Sequence, residues 1–295
     1  MILHYKSVED TLKCIASIKA LSCDSKPDIV VVDNGCNDGE AISCDHPDVS
    51  VLSLEENLGF SAANNIGYKY AVEKFNPDFI IVTNNDIFFE QNNFIELLIE
   101  EYNRSNYFIL GPDIININTG GHQSPLSSGP WNKAETDRFI KTYEFYSKHY
   151  ILSFIINALI IERLHDLTDK LGLTVYIRAA KRKFLSADLK RFDKECKNVR
   201  LLGACLVLSR NFINLNSNVF TPEIYFFNEE IFLTHRCIEN GWLIVYCPTL
   251  YVKHIYRSSL RKSFKNALAR EKFIKEHNLK SAKEYKAYLE NKSRV

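Results

Sequence analysis

Along the first hundred residues the apolar positions switch between two spacings. Short runs rich in Val, Ile and Leu at 2–5, 29–32, 49–54 and 79–83 read as strands. Between them the apolar spacing becomes helical. Ser7-x-x-Asp10 has the form of a helix cap, and Leu12, Ile15, Ile18 and Leu21 follow on adjoining faces. Residues 61–75 carry Ala63, Gly67 and Ala71 at i, i+4 and i+8, side chains small enough to lie close on a sheet. A helix at 94–102 and a strand at 108–110 continue the series. Alternation of this kind predicts an α/β fold with a mostly parallel, Rossmann-like sheet and right-handed crossovers.

The texture changes between 120 and 198. A Gly/Ser/Pro-rich loop (GGHQSPLSSGP) opens into long helical, basic and aromatic sequence, read as a helical insertion at about 121–199. A strand returns at 201–208. A loop and helix at 224–240 follow, then two short strands at 242–245 and 251–253 on either side of Pro248. The tail, 260–292, is helical, with Leu260, Phe264 and Leu268 as an apolar stripe. One α/β domain over 1–256 and a basic helical tail over 257–295 are therefore expected.

The 295 residues are 46% apolar, enough for a sizeable core, which excludes a disordered chain. Net charge is only +1, yet residues 257–295 hold 12 Lys/Arg against 4 Glu. That skew suits an anionic ligand or surface, or simply a solvated helix. The eight cysteines form no Cys-x-x-Cys pair, which argues against a structural zinc site of that type and for free thiols in a reducing compartment. Met1 runs straight into strand-like sequence without a signal peptide. The longest apolar run, YILSFIINALII at 150–161, is too short to span a bilayer.

The chemistry gathers at strand ends. FIIVTNND, residues 79–86, is an apolar strand that stops in Asn84-Asn85-Asp86. Open α/β sheets bind ligands at this edge. Carboxylate and amide oxygens there suit a hard divalent cation, although an Asx turn accounts for the same residues. The first strand ends at Tyr5, the second runs into VVDNGCNDG (31–39), and the third is followed by NLGFSAANNIGYKYA (57–71). Together these motifs resemble the family 2 glycosyltransferases of the GT-A fold, in particular the rhamnosyltransferase-like members that build bacterial surface polysaccharides. The resemblance continues at Gly203-Ala204-Cys205, FFNEEIFLTHR (226–236) and Gly241-Trp242 through His254.

The resemblance implies an inverting transfer of a sugar from a UDP-, dTDP- or GDP-sugar to a glycan hydroxyl, with a divalent cation (Mg²⁺ or Mn²⁺) as cofactor. It places the nucleotide on Tyr5, Asp33, Asn34, Asn57, Gly59, Phe60, Asn64, Asn65 and Asn85. It also places the diphosphate by Arg236 and His254, the donor sugar by His122 and Gln123, and the metal on Asp86, Asn84 and His254. One acid of Glu229-Glu230 would be the base, with Glu230 in the matching position. Simpler roles exist beside these: a turn cap for Asp33, a helix cap for Asn64, an ion pair for Arg236, and an acidic helix start for the two glutamates.

The chain departs from the pattern in three places. It has Asn84-Asn85-Asp86 for an Asp-x-Asp signature, Phe232 where relatives carry another acid, and His4 and Lys6 where Asn is frequent. Relatives also carry several more apolar residues before the first strand, so either that strand is short or the start of the chain is late. The missing acids leave open a non-catalytic module that binds a sugar nucleotide or a partner enzyme. A sugar-phosphate nucleotidyltransferase would want a glycine-rich loop after the first strand, and His4-Tyr5-Lys6-Ser7 has no glycine. The resemblance further implies a polyprenyl-linked acceptor at the cytoplasmic side. Residues 150–161, Lys181-Arg182-Lys183 and the basic tail suit a peripheral membrane contact, or equally helices packed on a core or on a second copy of the chain. Nothing points to nucleic acid.

Overall fold

The computed structural model describes residues 1–23, 26–151, 192–255, 262–264 and 266–292. Two compact units are present: Met1–Pro130 with Lys194–Ser263, and Trp131–Asp193 with Phe264–Val295.

The first unit holds the sheet. Its elements are β1 (Ile2–His4), α1 (Val8–Lys19), β2 (Val30–Asp33), α2 (Gly39–Asp45), β3 (Ser50–Ser53), α3 (Phe60–Phe75), β4 (Phe79–Asn84), β5 (Ile87–Phe88), α4 (Phe94–Ser105) and β6 (Ile109–Asn116). After α5 (Lys133–Lys148), which belongs to the second unit, come β7 (Cys196–Lys197), β8 (Cys205–Ser209), α6 (Arg210–Leu215), α7 (Glu229–Glu239) and β9 (Ile244–His254). The sheet order is β3-β2-β1-β4-β8-β6-β9-β5, with β7 paired to β9.

The α/β class is as the sequence predicts, but the parallel character is confined to two stretches. β3, β2, β1 and β4 are parallel neighbours, and β6 is parallel to β9. β8 runs antiparallel to both β4 and β6 and joins the two halves. The two strands expected around Pro248 are one. Pro112 of β6 pairs with Cys247, but Asp113 pairs with Tyr251, so 248–250 bulge out of the ladder. A bulge is where a sheet tolerates proline. The Gln91 side chain serves its backbone, donating to Thr249 O and accepting from Tyr251 N.

Successive residues of the strands feed opposite faces. Val30, Val32, Ile80, Val82, Leu206 and Leu208 pack with α3, α6 and α7. Ile2 and Val31 face Cys14 and Ile15 of α1, and Leu110, Val207 and Val245 face Phe94 and Leu98 of α4. Ser7 caps α1 as its spacing predicts, its Oγ accepting from Asp10 N. The small-residue face of α3 is also where expected: a Cβ on Gly67 would lie 2.5 Å from Val32 Cγ2 and 2.6 Å from Met1 Sδ.

The second unit pairs α5 (Lys133–Lys148) with α8 (Ala267–Lys292). Asn132 and Glu135 form a capping box at the start of α5. Tyr285 donates to Trp131 O, and Lys286 and Lys283 reach Asp137 and Glu144. Part of the insertion and the tail thus form one body, and the buried face of α8 is Ile274, Asn278, Ser281, Ala282 and Tyr285. The apolar run 150–161 is described only at its first two residues; 181–183 and Leu260 lie outside the described residues. Among the described residues no helix is long and apolar enough to cross a membrane.

Overpacking the α3–sheet contact should be costly. Gly67→Val is expected to lose about 1–3 kcal/mol of stability, read as a lower denaturant midpoint with an unchanged slope.

Candidate functional site

The carboxyl ends of β1, β2 and β4 carry an unusual density of buried polar side chains: His4, Asp33, Asn34, Asn85 and Asp86. Buried polar groups demand partners, and those partners build the site.

Asp33 closes β2. Its Oδ1 accepts from Cys36 N (3.0 Å), and its Oδ2 accepts from Asp38 N (2.8 Å) and Gly39 N (2.9 Å). The carboxylate thus holds the turn that starts α2, the cap reading weighed from sequence. Asn34 reaches across to the next loop. Its amide donates to Asn57 Oδ1 (3.1 Å) and Gly59 O (3.3 Å), and its oxygen accepts from Leu58 N (3.0 Å). Asn57 Oδ1 also accepts from Gly59 N. The turn after β2 and the loop before α3 are therefore one hydrogen-bonded assembly.

Gly59 sits at φ 84, and a Cβ there would lie 2.6 Å from Tyr225 O. The N–H groups of Phe60 and Ser61 at the start of α3 donate to Tyr225 O (2.7 Å) and Ile224 O (3.3 Å). The freedom of glycine is spent on close approach of the 224–225 segment. Asn65 clamps the preceding stretch: its amide donates to Phe220 O and Glu223 Oε1, and its oxygen accepts from Phe220 N. Asn64 donates to Phe60 O, and its Oδ1 is buried without a partner. Tyr5 is half-buried at the end of β1, with Lys6 Nζ 5.6 Å from its ring centre.

After β4 the three polar residues diverge. The Asn84 backbone N–H donates to Ala204 O (3.0 Å). The Asn85 side chain turns inward to Ser7 O and Thr11 Oγ1. Asp86 is buried, and its Oδ1 lies 3.3 Å from His254 Nε2 with no hydrogen bond. His254 Nδ1 lies 2.7 Å from Gln123 Oε1, an acceptor, so that nitrogen carries the hydrogen. In the neutral ring Nε2 then turns a lone pair toward a carboxylate oxygen. A cation between two such acceptors relieves the conflict, so these residues fit the divalent ion that the motif implies. Main-chain bonds hold the pair in register: Ile255 N donates to Asp86 O, and Ile87 pairs with His254. His122 lies beside Gln123 and meets Asp113 Oδ2 at 2.7 Å. Burial raises the Asp113 carboxyl above the usual range despite that partner.

Glu229 and Glu230 open α7, both buried, each with an Oε2 that has no hydrogen-bond partner. Burial and the neighbouring Glu230 hold the Glu229 carboxyl well above the ordinary range. Burial also raises Glu230, but the Arg200 guanidinium and the hydrogen bond from Glu229 draw it back. Both carboxyls are therefore raised, and the Arg200 charge acts on Glu230. Gly203 makes room for them: a Cβ there would meet Glu229 Oε1 at 3.3 Å and the Phe60 ring at 3.5 Å. Gly203 adjoins Ala204, whose carbonyl accepts from Asn84 N. One chain of contacts thus connects the acid pair, the start of α3 and the strand end that bears Asp86.

Arg236 is seated elsewhere. Its guanidinium donates to Val219 O (2.8 Å) and lies 5.6 Å from the Phe212 ring centre. Sequence reasoning missed three contributors. Asp113 had a visible signal, an acid inside an apolar strand. Thr11 and Arg200 had none, since nothing local announces their distant partners.

Residues 1–163 match the family model described as glycosyl transferase family 2. The chain is 29% identical over 116 residues to the low-salt glycan biosynthesis hexosyltransferase Agl10 of Haloferax volcanii, an alignment covering 39% of this chain and 36% of that relative. It thus spans about a third of the length of the curated relative it matches. A crystal structure of GalNAc-T7 with UDP, GalNAc and Mn²⁺ superposes with a TM-score of 0.53 at 16% identity, covering 88% of this chain and 45% of the other, a likeness of fold. With the model spanning more than half of its length, the chain belongs to glycosyl transferase family 2.

Proposed function

We propose that this protein is an inverting hexosyltransferase that moves a sugar from a nucleoside diphosphate to a hydroxyl of a growing glycan. Family membership and the hexosyltransferase relative support the reaction class. The observation that carries the reading is the buried Glu229–Glu230 pair, linked through Gly203 and Ala204 to the strand end bearing Asp86. Glu230, the acid on which the Arg200 charge acts, removes the acceptor hydroxyl proton as that oxygen attacks the anomeric carbon. Glu229 stays protonated and orients it. Asp86 and His254 would hold the divalent cation, with Asn84 beside them; such an ion neutralises charge on the departing diphosphate. Gln123 fixes the His254 ring, and the Asn34–Asn57–Gly59 assembly shapes the nucleotide's side of the site. A lipid-linked acceptor, and contact with an anionic membrane, follow only from the resemblance.

Glu230→Gln is expected to lower turnover by about 10²–10⁴-fold while donor binding stays intact; normal transfer by this variant would remove Glu230 as base. Calorimetry with UDP, dTDP, GDP and CMP, with and without Mn²⁺, should show one preferred nucleoside diphosphate whose binding strengthens with the ion in wild type and not in Asp86→Asn. Absence of nucleotide binding would sink the transferase reading. The raised Glu229 carboxyl makes the native state bind more protons than the unfolded chain above the ordinary carboxylate range. Stability is therefore present at low pH and is lost as pH rises toward the native pKa. Glu229→Gln removes that loss and is expected to add about 0.5–2 kcal/mol at neutral pH. Thermal unfolding across pH should show the gain disappear below about pH 4.

A further inference from the structure

A second place on this edge has the stereochemistry of a metal centre. His4 ends β1 and is fully buried, while Cys36 and Asp38 lie on the half-exposed turn after β2. One ligand atom from each falls within 4.8 Å of the other two.

The hydrogen-bond network assigns the histidine's hydrogen. Thr11 Oγ1 donates to Ser7 O (3.0 Å) and accepts from Asn85 Nδ2 (3.0 Å). Toward His4 Nδ1, 2.6 Å away, it is therefore an acceptor, so Nδ1 carries the hydrogen. This is the outer partner that a metal-bound histidine characteristically has. Nε2 then holds a lone pair and points at Asp38 Oδ2, 3.4 Å away. In the neutral ring two acceptors face each other across this gap. Their separation is close to the edge of a zinc tetrahedron, about 3.3–3.5 Å for nitrogen and oxygen ligands. Asp38 makes no other side-chain hydrogen bond among the described residues, although it stands at the N-cap of α2.

The sulfur is also prepared. Lys6, in the left-handed region at φ 63, donates its backbone N–H to Cys36 Sγ at 3.1 Å. Such a bond favours a thiolate. Without a cation, burial raises the Cys36 pKa, and a bound metal deprotonates a coordinating thiol outright. One thiolate and one carboxylate balance a dication.

We propose that His4 Nε2, Cys36 Sγ and Asp38 form a binding site for a zinc-type divalent cation, separate from Asp86 and His254, with the fourth position open to water or a ligand atom. The mixed nitrogen, sulfur and oxygen set selects Zn²⁺ over Mg²⁺ or Mn²⁺, which favour oxygen. The three ligands come from two strand ends, so no Cys-x-x-Cys spacing announces them.

The test uses the full chain, stripped with EDTA and kept reduced, titrated with Co²⁺ and followed by the thiolate-to-cobalt charge-transfer absorption. A saturable 1:1 band that Zn²⁺ displaces is expected. Cys36→Ser should abolish it, and Asp38→Asn should weaken binding at least tenfold. Asp86→Asn and Cys44→Ser should retain it. Cys36 and Asp38 are on a half-exposed turn, and circular dichroism checks that both variants fold. Absence of a band in the wild-type chain, its persistence in Cys36→Ser, unchanged affinity in Asp38→Asn, or its loss in Asp86→Asn would each overturn the proposal.

Discussion

Everything at the carboxyl edge of this sheet depends on the rule that buried hydrogen-bonding groups find partners. Three backbone N–H groups converge on the Asp33 carboxylate, and the turn they belong to cannot relax without stranding them. That turn brings Cys36 and Asp38 beside His4. Asn34, the next residue, ties the turn to the loop that launches α3. Asn65, one helical turn into α3, holds the 220–223 segment, and Gly59 lets 224–225 approach. The segment so held leads directly into Glu229 and Glu230. The geometry of the acid pair is thus inherited, step by step, from polar groups at the end of β2 and the start of α3.

At three points this network stops short of neutralising itself. Asp86 faces His254, Asp38 faces His4, and Glu229 lies against Glu230. In the first two, the imidazole in its neutral form turns a lone pair toward a carboxylate. In the third, two acids are buried together. Each arrangement costs stability that the well-packed faces of the sheet offset. Such residual frustration belongs to places where a ligand, an ion or a proton is to be received. Asp33 is the contrast: a fully buried acid whose three donors hold its turn.

The second unit shows how different the demands on a helix pair are. α5, opened by its own capping box, is joined to α8 by surface ion pairs around a narrow buried face. No buried titratable pair comparable to those of the sheet edge is found among its described residues.

The repetitive features of the chain were legible in its sequence. Local periodicity placed β1 to β4 with α1, α3 and α4, the Ser7 cap and the small face of α3, because each depends on residues a few positions apart, and it missed the short α2 and β5. The strand-end motifs carried the family and drew attention to Asp33, Asp86 and the glutamate pair. What sequence could not decide was which partner each polar residue takes. Asp33 and Asn65 are satisfied within the fold, Arg236 stacks beneath a loop, and Gln123 meets His254 across 131 positions. β8 runs antiparallel between its neighbours, and β9 stays one strand through Pro248 because Pro112 and Gln91 accommodate its bulge. His4, Cys36 and Asp38 likewise meet only when β1 and β2 lie side by side. Spacing along the chain encodes local geometry; the partner of a buried polar atom is chosen by the closing of the sheet, and tertiary structure alone decided that.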